Sequence, residues 1–196
     1  MSNTHRNPTD TEINAVIKFY TSGQIEEARA VLIRLTRKYP NEALLYNFLG
    51  VCYATLNQTE AAFGSFESAL RINPDNAEVH YNLGNTLKAC DRLNASIKSY
   101  TRALEINPFH ADTHINLGNA FKGIGNIDKA VSHYEHAIQI NPNYTEAHCN
   151  LGNTLHVIGN LEAAISCYQQ ALSIDPSDAE AHNCLGNTYN DLGKTD

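Results

Sequence analysis

Residues 145–178, TEAHCNLGNTLHVIGNLEAAISCYQQALSIDPSD, decide how this chain folds. His148, Leu151, Gly152 and Leu155 fall at i, i+3, i+4 and i+7, the spacing of one helical face. Past Gly159-Asn160 the pattern restarts with Leu161, Ala164, Ile165, Tyr168, Ala171 and Leu172. Ile174-Asp175-Pro176 then ends it, because a residue that precedes proline avoids the helical region. The segment therefore predicts two helices joined by a short turn. Gly152, Ala164 and Ala171 are small enough to let the two approach closely, with Leu151 and Tyr168 filling the space around the contact.

The same text recurs through the chain. Pro40, Pro74, Pro108, Pro142 and Pro176 are spaced by 34 residues, and so are Gly50, Gly84, Gly118, Gly152 and Gly186. Ala69, Ala103, Ala137 and Ala171 keep that step, as do the rings Phe66, Tyr100, Tyr134 and Tyr168. One helical hairpin cannot bury both of its apolar faces, so neighbours have to stack on it. The expected architecture is all-α: a solenoid with a continuous spine instead of one central core.

These residues resemble the tetratricopeptide repeat (TPR) family, whose period is 34 residues. The Leu-Gly pair, the small-residue trio, the aromatic of the second helix and the closing proline all match. The resemblance implies a TPR α-solenoid, a right-handed superhelix of about five and a half repeats, with units 9–42, 43–76, 77–110, 111–144, 145–178 and a half unit 179–196. It covers the whole array 9–196, leaving residues 1–8 as a flexible N-terminus. The first unit has Ala15-Val16 where later ones carry Leu-Gly, and it reads as a cap. The last supplies only a first helix, in which Gly186 and Tyr189 are set up for a partner helix; a truncation or a docking surface is expected there.

Composition narrows the function classes. A net charge of -7 without a basic run gives nothing to neutralise phosphates, which excludes a nucleic-acid partner. No apolar stretch is long enough for membrane insertion, and the start, MSNTHRNPTDTE, lacks the apolar run of a signal peptide. Cys52, Cys90, Cys149, Cys167 and Cys184 are odd in number and lie inside helical patterns without CxxC spacing. That reads as small apolar residues in a reducing compartment, so a cytoplasmic protein is expected. The Asn-x-Ser/Thr triplets at Asn57, Asn94 and Asn143 are then chance matches.

No phosphate loop, serine elbow or HExxH pattern is present, so no catalytic residue, cofactor or metal is expected. His80, His114, His148 and His182 recur once per unit, but neighbouring units stand roughly 8–10 Å apart. That is too far to share one ion, and a structural role is expected. Glu78, Asp112 and Glu146, with Glu180, open the first helices, where acids favour the helix dipole; they are also candidates for the rim of a binding surface.

The remaining anomaly is asparagine, a mediocre helix former. Asn82, Asn116 and Asn150 form one row, and Asn85, Asn119, Asn153 and Asn187 a second, with Lys88, Lys122 and His156 further along the same helices. The resemblance places this stripe in a concave groove lined by first helices. A carboxamide donates and accepts, so it pairs with peptide backbone whatever side chains the peptide carries. The first row is expected to touch ligand. For the second, ligand contact and bonding between repeats both stand. The chain is similar to the TPR arm of O-linked N-acetylglucosamine transferases, where asparagines at the positions of Asn82, Asn116 and Asn150 hold substrate backbone, and to the TPR segments of bacterial TPR-sulfotransferase proteins. Phe48 and Cys184 interrupt the first row. TPR co-chaperones grip a C-terminal carboxylate with groove cations; Glu78, Asp112 and Glu146 lead the stripe here, so chaperone-tail binding is not expected. The expected function is a non-enzymatic scaffold for a protein or peptide partner bound in the groove. A substrate-recognition arm of a larger transferase and a module that self-associates head to tail are the alternatives.

Overall fold

The computed structural model describes residues 7–193. The flexible tail expected over residues 1–8 falls outside them up to residue 6, as do residues 194–196. Among the described residues there are eleven helices and no strand: α1 (Asp10–Thr21), α2 (Ile25–Lys38), α3 (Ala43–Thr55), α4 (Thr59–Ile72), α5 (Ala77–Ala89), α6 (Leu93–Ile106), α7 (Ala111–Gly123), α8 (Ile127–Ile140), α9 (Thr145–Val157), α10 (Leu161–Ile174) and α11 (Ala179–Asp191). They fall into two compact units, α1–α5 and α6–α11. In each unit every helix packs on the one before and the one after, and the first helices of successive hairpins also touch, α3 on α5, α7 on α9 and α9 on α11.

Local chemistry sets the helix ends. Thr9 and Glu12 form a reciprocal capping box on α1, while Asn76 and Asp178 each accept two backbone N–H groups at the starts of α5 and α11. Such a cap is worth about 1 kcal/mol. The turn inside each hairpin needs one residue at positive φ, and position 125 shows why: Gly125 sits at φ +78°, its N–H bonded to Lys122 O and that of Asn126 to Phe121 O. This double bond closes orphan carbonyls at the helix end. Asn57 adopts the same conformation at the α3–α4 turn, at φ +57°, asparagine being among the few L-residues that do so readily.

The hairpin contact is tight. A Cβ on Gly50 would lie 2.5 Å from the Phe66 ring, one on Gly118 2.6 Å from Tyr134, and one on Gly152 2.7 Å from Tyr168. Those rings are almost completely buried, so they have nowhere to move. Ala164 and Ala171 are likewise sealed in α10.

The histidine set is explained by the link between hairpins. His80 Nε2–H donates to Pro74 O at 2.9 Å, His114 to Pro108 O at 3.1 Å, His148 to Pro142 O at 2.9 Å and His182 to Pro176 O at 3.0 Å. Each ring staples the proline turn to the helix that follows it. The bond satisfies a carbonyl that the turn leaves outside any helical ladder.

Gly152→Ala is expected to lower stability by ~1–3 kcal/mol in urea unfolding, because its methyl group has no space beside Tyr168. Gly186→Ala, whose Cβ would meet nothing within 4 Å, is expected to stabilise by up to about 1 kcal/mol through helix propensity alone.

Candidate functional site

Glu78, Asn82, Asn85 and Lys88 run along one stripe of α5. Asp112, Asn116, Asn119 and Lys122 repeat it on α7, and Glu146, Asn150, Asn153 and His156 on α9. Asn187 holds the second-row position on α11, where it is exposed.

In the first unit the carboxamide of Asn82 faces two ways. Its Nδ2 donates to Asn47 Oδ1 at 3.1 Å. Asn47, on α3, is 1% exposed, and a buried amide of that kind needs a partner. Asn82 keeps its own Oδ1 and a second N–H for something else. Glu78 is exposed, and none of the ion pairs among the described residues includes it.

The same three helices enclose a cavity of about 370 Å³. Val16, Ile17 and Tyr20 come from α1, and Phe48, Val51 and Cys52 from α3; Glu78 and Asn82 are its polar lining from α5. Ile17 and Tyr20 remain 43% and 38% exposed, so its apolar wall is open to solvent. Phe48, an interruption when read as a gap in the asparagine row, is part of that wall. The Cys52 thiol is pushed up to about 11 by burial.

In the second unit two members of the second row bond to the tyrosines of their own hairpins. Tyr134 OH donates to Asn119 Oδ1, and Tyr168 OH to Asn153 Oδ1, both at 2.7 Å. Each bond ties the second helix of a hairpin to its first. Burial raises the Tyr134 phenol to about 12, so it stays a neutral donor. The signal was in the sequence: each tyrosine at the ring position has asparagine fifteen residues earlier, whereas Phe66, without a hydroxyl, has Val51. In the first row Asn116 and Asn150 are half-buried. Asn150 Nδ2 lies 3.5 Å from Glu146 Oε1, a distance at which little bonding remains. Asp112 accepts from Tyr144 OH, and His156 Nε2 lies 2.9 Å from Asp191 Oδ2, so both are held by the following hairpin. Lys88 and Lys122 are half-buried on their helices.

Family models described as tetratricopeptide repeat match residues 14–77, 75–143 and 133–166, and one described as TPR repeat matches residues 153–193. The chain belongs to the tetratricopeptide repeat family. No curated protein matches it significantly. Among solved structures it is similar to MamA, at 25% identity over 84% of this chain and 96% of that one, with a TM-score of 0.76. It is also similar to PilF of Pseudomonas aeruginosa (18% identity, 94% of this chain, 84% of that one, TM-score 0.85). A third is YrrB, described as a TPR protein with an unusual peptide-binding site (23% identity, 90% and 91%, TM-score 0.72). The fold is thus the TPR α-solenoid, a protein-interaction scaffold. No helix among the described residues is long and apolar enough to cross a membrane.

The TPR hairpins of the second unit also gather histidines beside a hollow of about 1070 Å³ between α6, α7 and α8. His114 donates through Nε2, so its neutral ring offers the Nδ1 lone pair to His133 Nδ1–H at 3.1 Å. His136 Nδ1–H is spent on Ser132 O, at 2.6 Å, and its ring stacks on His114 with centroids 5.3 Å apart. No group of three or more His, Cys, Asp or Glu among the described residues is arranged to hold a metal ion. Burial, then the charges of His114, His136 and Lys129, pushes His133 down to about 4.

Two measurements follow from these contacts. Tyr168→Phe is expected to cost ~0.5–1.5 kcal/mol, and adding Asn153→Val to recover much of it in a double-mutant cycle, since the pair then reproduces Val51 and Phe66. In the second, the unfolded chain binds a proton at His133 near its ordinary value while the folded chain resists until about pH 4. Stability is therefore full above the ordinary imidazole value and falls as pH drops through that window. The urea midpoint is expected to decline from neutral to mildly acidic pH, and His133→Gln to decline less.

Proposed function

We propose that each compact unit holds an extended peptide segment of a partner protein along its own first-helix stripes, with the first-row carboxamides pairing to peptide backbone. One observation carries this reading: Asn82 is positioned by Asn47 yet retains an acceptor and a donor that no described residue uses. Asn150 supports it, half-buried and held only by a long contact to Glu146. YrrB, which shares the fold, is described as having a peptide-binding site; here the reading rests on the carboxamides themselves. Steps of roughly 8–10 Å between packed helices match about three extended residues per hairpin.

The test avoids Asn82, because removing it orphans the buried Asn47. Asn82→Ala is expected to lose ~1–3 kcal/mol of stability, measured by urea unfolding, and Asn82→Ala with Asn47→Leu to lose less. Binding is better tested with Asn116→Ala plus Asn150→Ala against a peptide selected from a displayed random library. About tenfold weaker binding by titration calorimetry is expected, with the helical circular dichroism unchanged. Unchanged affinity overturns the reading.

A further inference from the structure

The first unit differs from the second in what its first helices offer. Asn82 stands beside an open apolar cavity. Phe48 takes the place of the next asparagine, and Ile17, Tyr20 and Val51 continue the wall. A cavity of about 370 Å³ lies at the small end of the range for ligand sites. Solvent-facing apolar side chains around such a recess mark a place for an apolar group.

Two polar groups define what surrounds that group. Asn82 has an unspent carbonyl oxygen and N–H, the complement of one peptide unit. Glu78, one helical turn earlier, is an exposed carboxylate outside every ion pair among the described residues. The chain as a whole carries -7, so a cation approaching this stripe is attracted by the local carboxylate and by the net field alike.

We infer that the first unit is a sequence-selective anchor. It takes one bulky apolar side chain of an extended peptide into the cavity, the peptide unit beside it on Asn82, and an adjacent lysine or arginine on Glu78. The inference rests on the groove reading above and adds a sequence preference to it. Carboxamides alone confer affinity without selectivity, because every peptide presents the same backbone. An apolar recess next to a carboxylate discriminates, since filling the recess with a polar residue leaves that residue desolvated and unpaired. The departures from the repeat pattern at Phe48 and Val51 are then the residues that confer specificity.

The experiment uses the full chain and a displayed library of random dodecapeptides. Selection is expected to enrich peptides with Phe, Tyr, Leu or Met next to Lys or Arg. One enriched peptide is then made in four forms: unchanged, with the apolar residue replaced by Ser, with the basic residue replaced by Glu, and with both replaced. Ile17→Asp, at an exposed wall position, is expected to weaken the unchanged peptide about tenfold. Glu78→Gln is expected to weaken it about threefold, and to have no effect on the form in which the basic residue is Glu. Thermal unfolding of both variants checks that the fold is intact; Ile17→Ser serves if Ile17→Asp unfolds. If the enriched peptides depend on Asn116 and Asn150 but show no apolar or basic preference and ignore Ile17 and Glu78, the anchor is overturned while the groove reading stands. If no peptide is enriched, or binding is indifferent to the asparagines as well, both fall.

Discussion

A glycine backbone pressed against an aromatic ring is the contact on which three of the hairpins depend. At Gly50, Gly118 and Gly152 the partner ring stands where a Cβ would go, so the paired helices approach at backbone distance and the ring is sealed from water. Sealing a tyrosine raises a second requirement, because its hydroxyl must find an acceptor inside the hairpin. Asn119 and Asn153 supply it. Polar residues thus appear in an apolar helix as a consequence of the packing, and where the ring is Phe66 the asparagine gives way to Val51.

The linkers obey a similar accounting. Proline ends a second helix and leaves its own carbonyl outside any ladder; a histidine six residues on returns an N–H to it in four successive turns. The histidines and the tyrosine-bound asparagines therefore belong to the frame. On the first helix of the third hairpin Asn82 keeps an acceptor that no described residue uses and Glu78 is exposed, and the two border a recess that the frame does not require.

The period, the two helices per unit, the glycine contact and the structural role of the histidines were all legible in the residues, since each is a local pattern repeated in register. The bonds that tie the second asparagine row to the tyrosines were not. Both rows lie on one face of the same helices, and helical spacing assigns a face, not a partner. The fifteen-residue pairing of tyrosine with asparagine was available as a signal, but its meaning needs the knowledge that the ring crosses to the first helix with its hydroxyl at that height. Phe48 looks like a gap in a polar row for the same reason: nothing in a one-dimensional pattern shows that Ile17 and Tyr20 of another helix complete a cavity around it.

The sequence by itself therefore determined the architecture. A 34-residue period of small, apolar and proline positions leaves each hairpin with two faces to bury and only neighbouring copies of itself to bury them against. The tertiary structure alone decided which polar atoms are spent and which are free. That depends on distances between residues tens of positions apart, such as Asn47 and Asn82 at 3.1 Å, and hydrogen bonding is too short-ranged for such pairings to be read from periodicity.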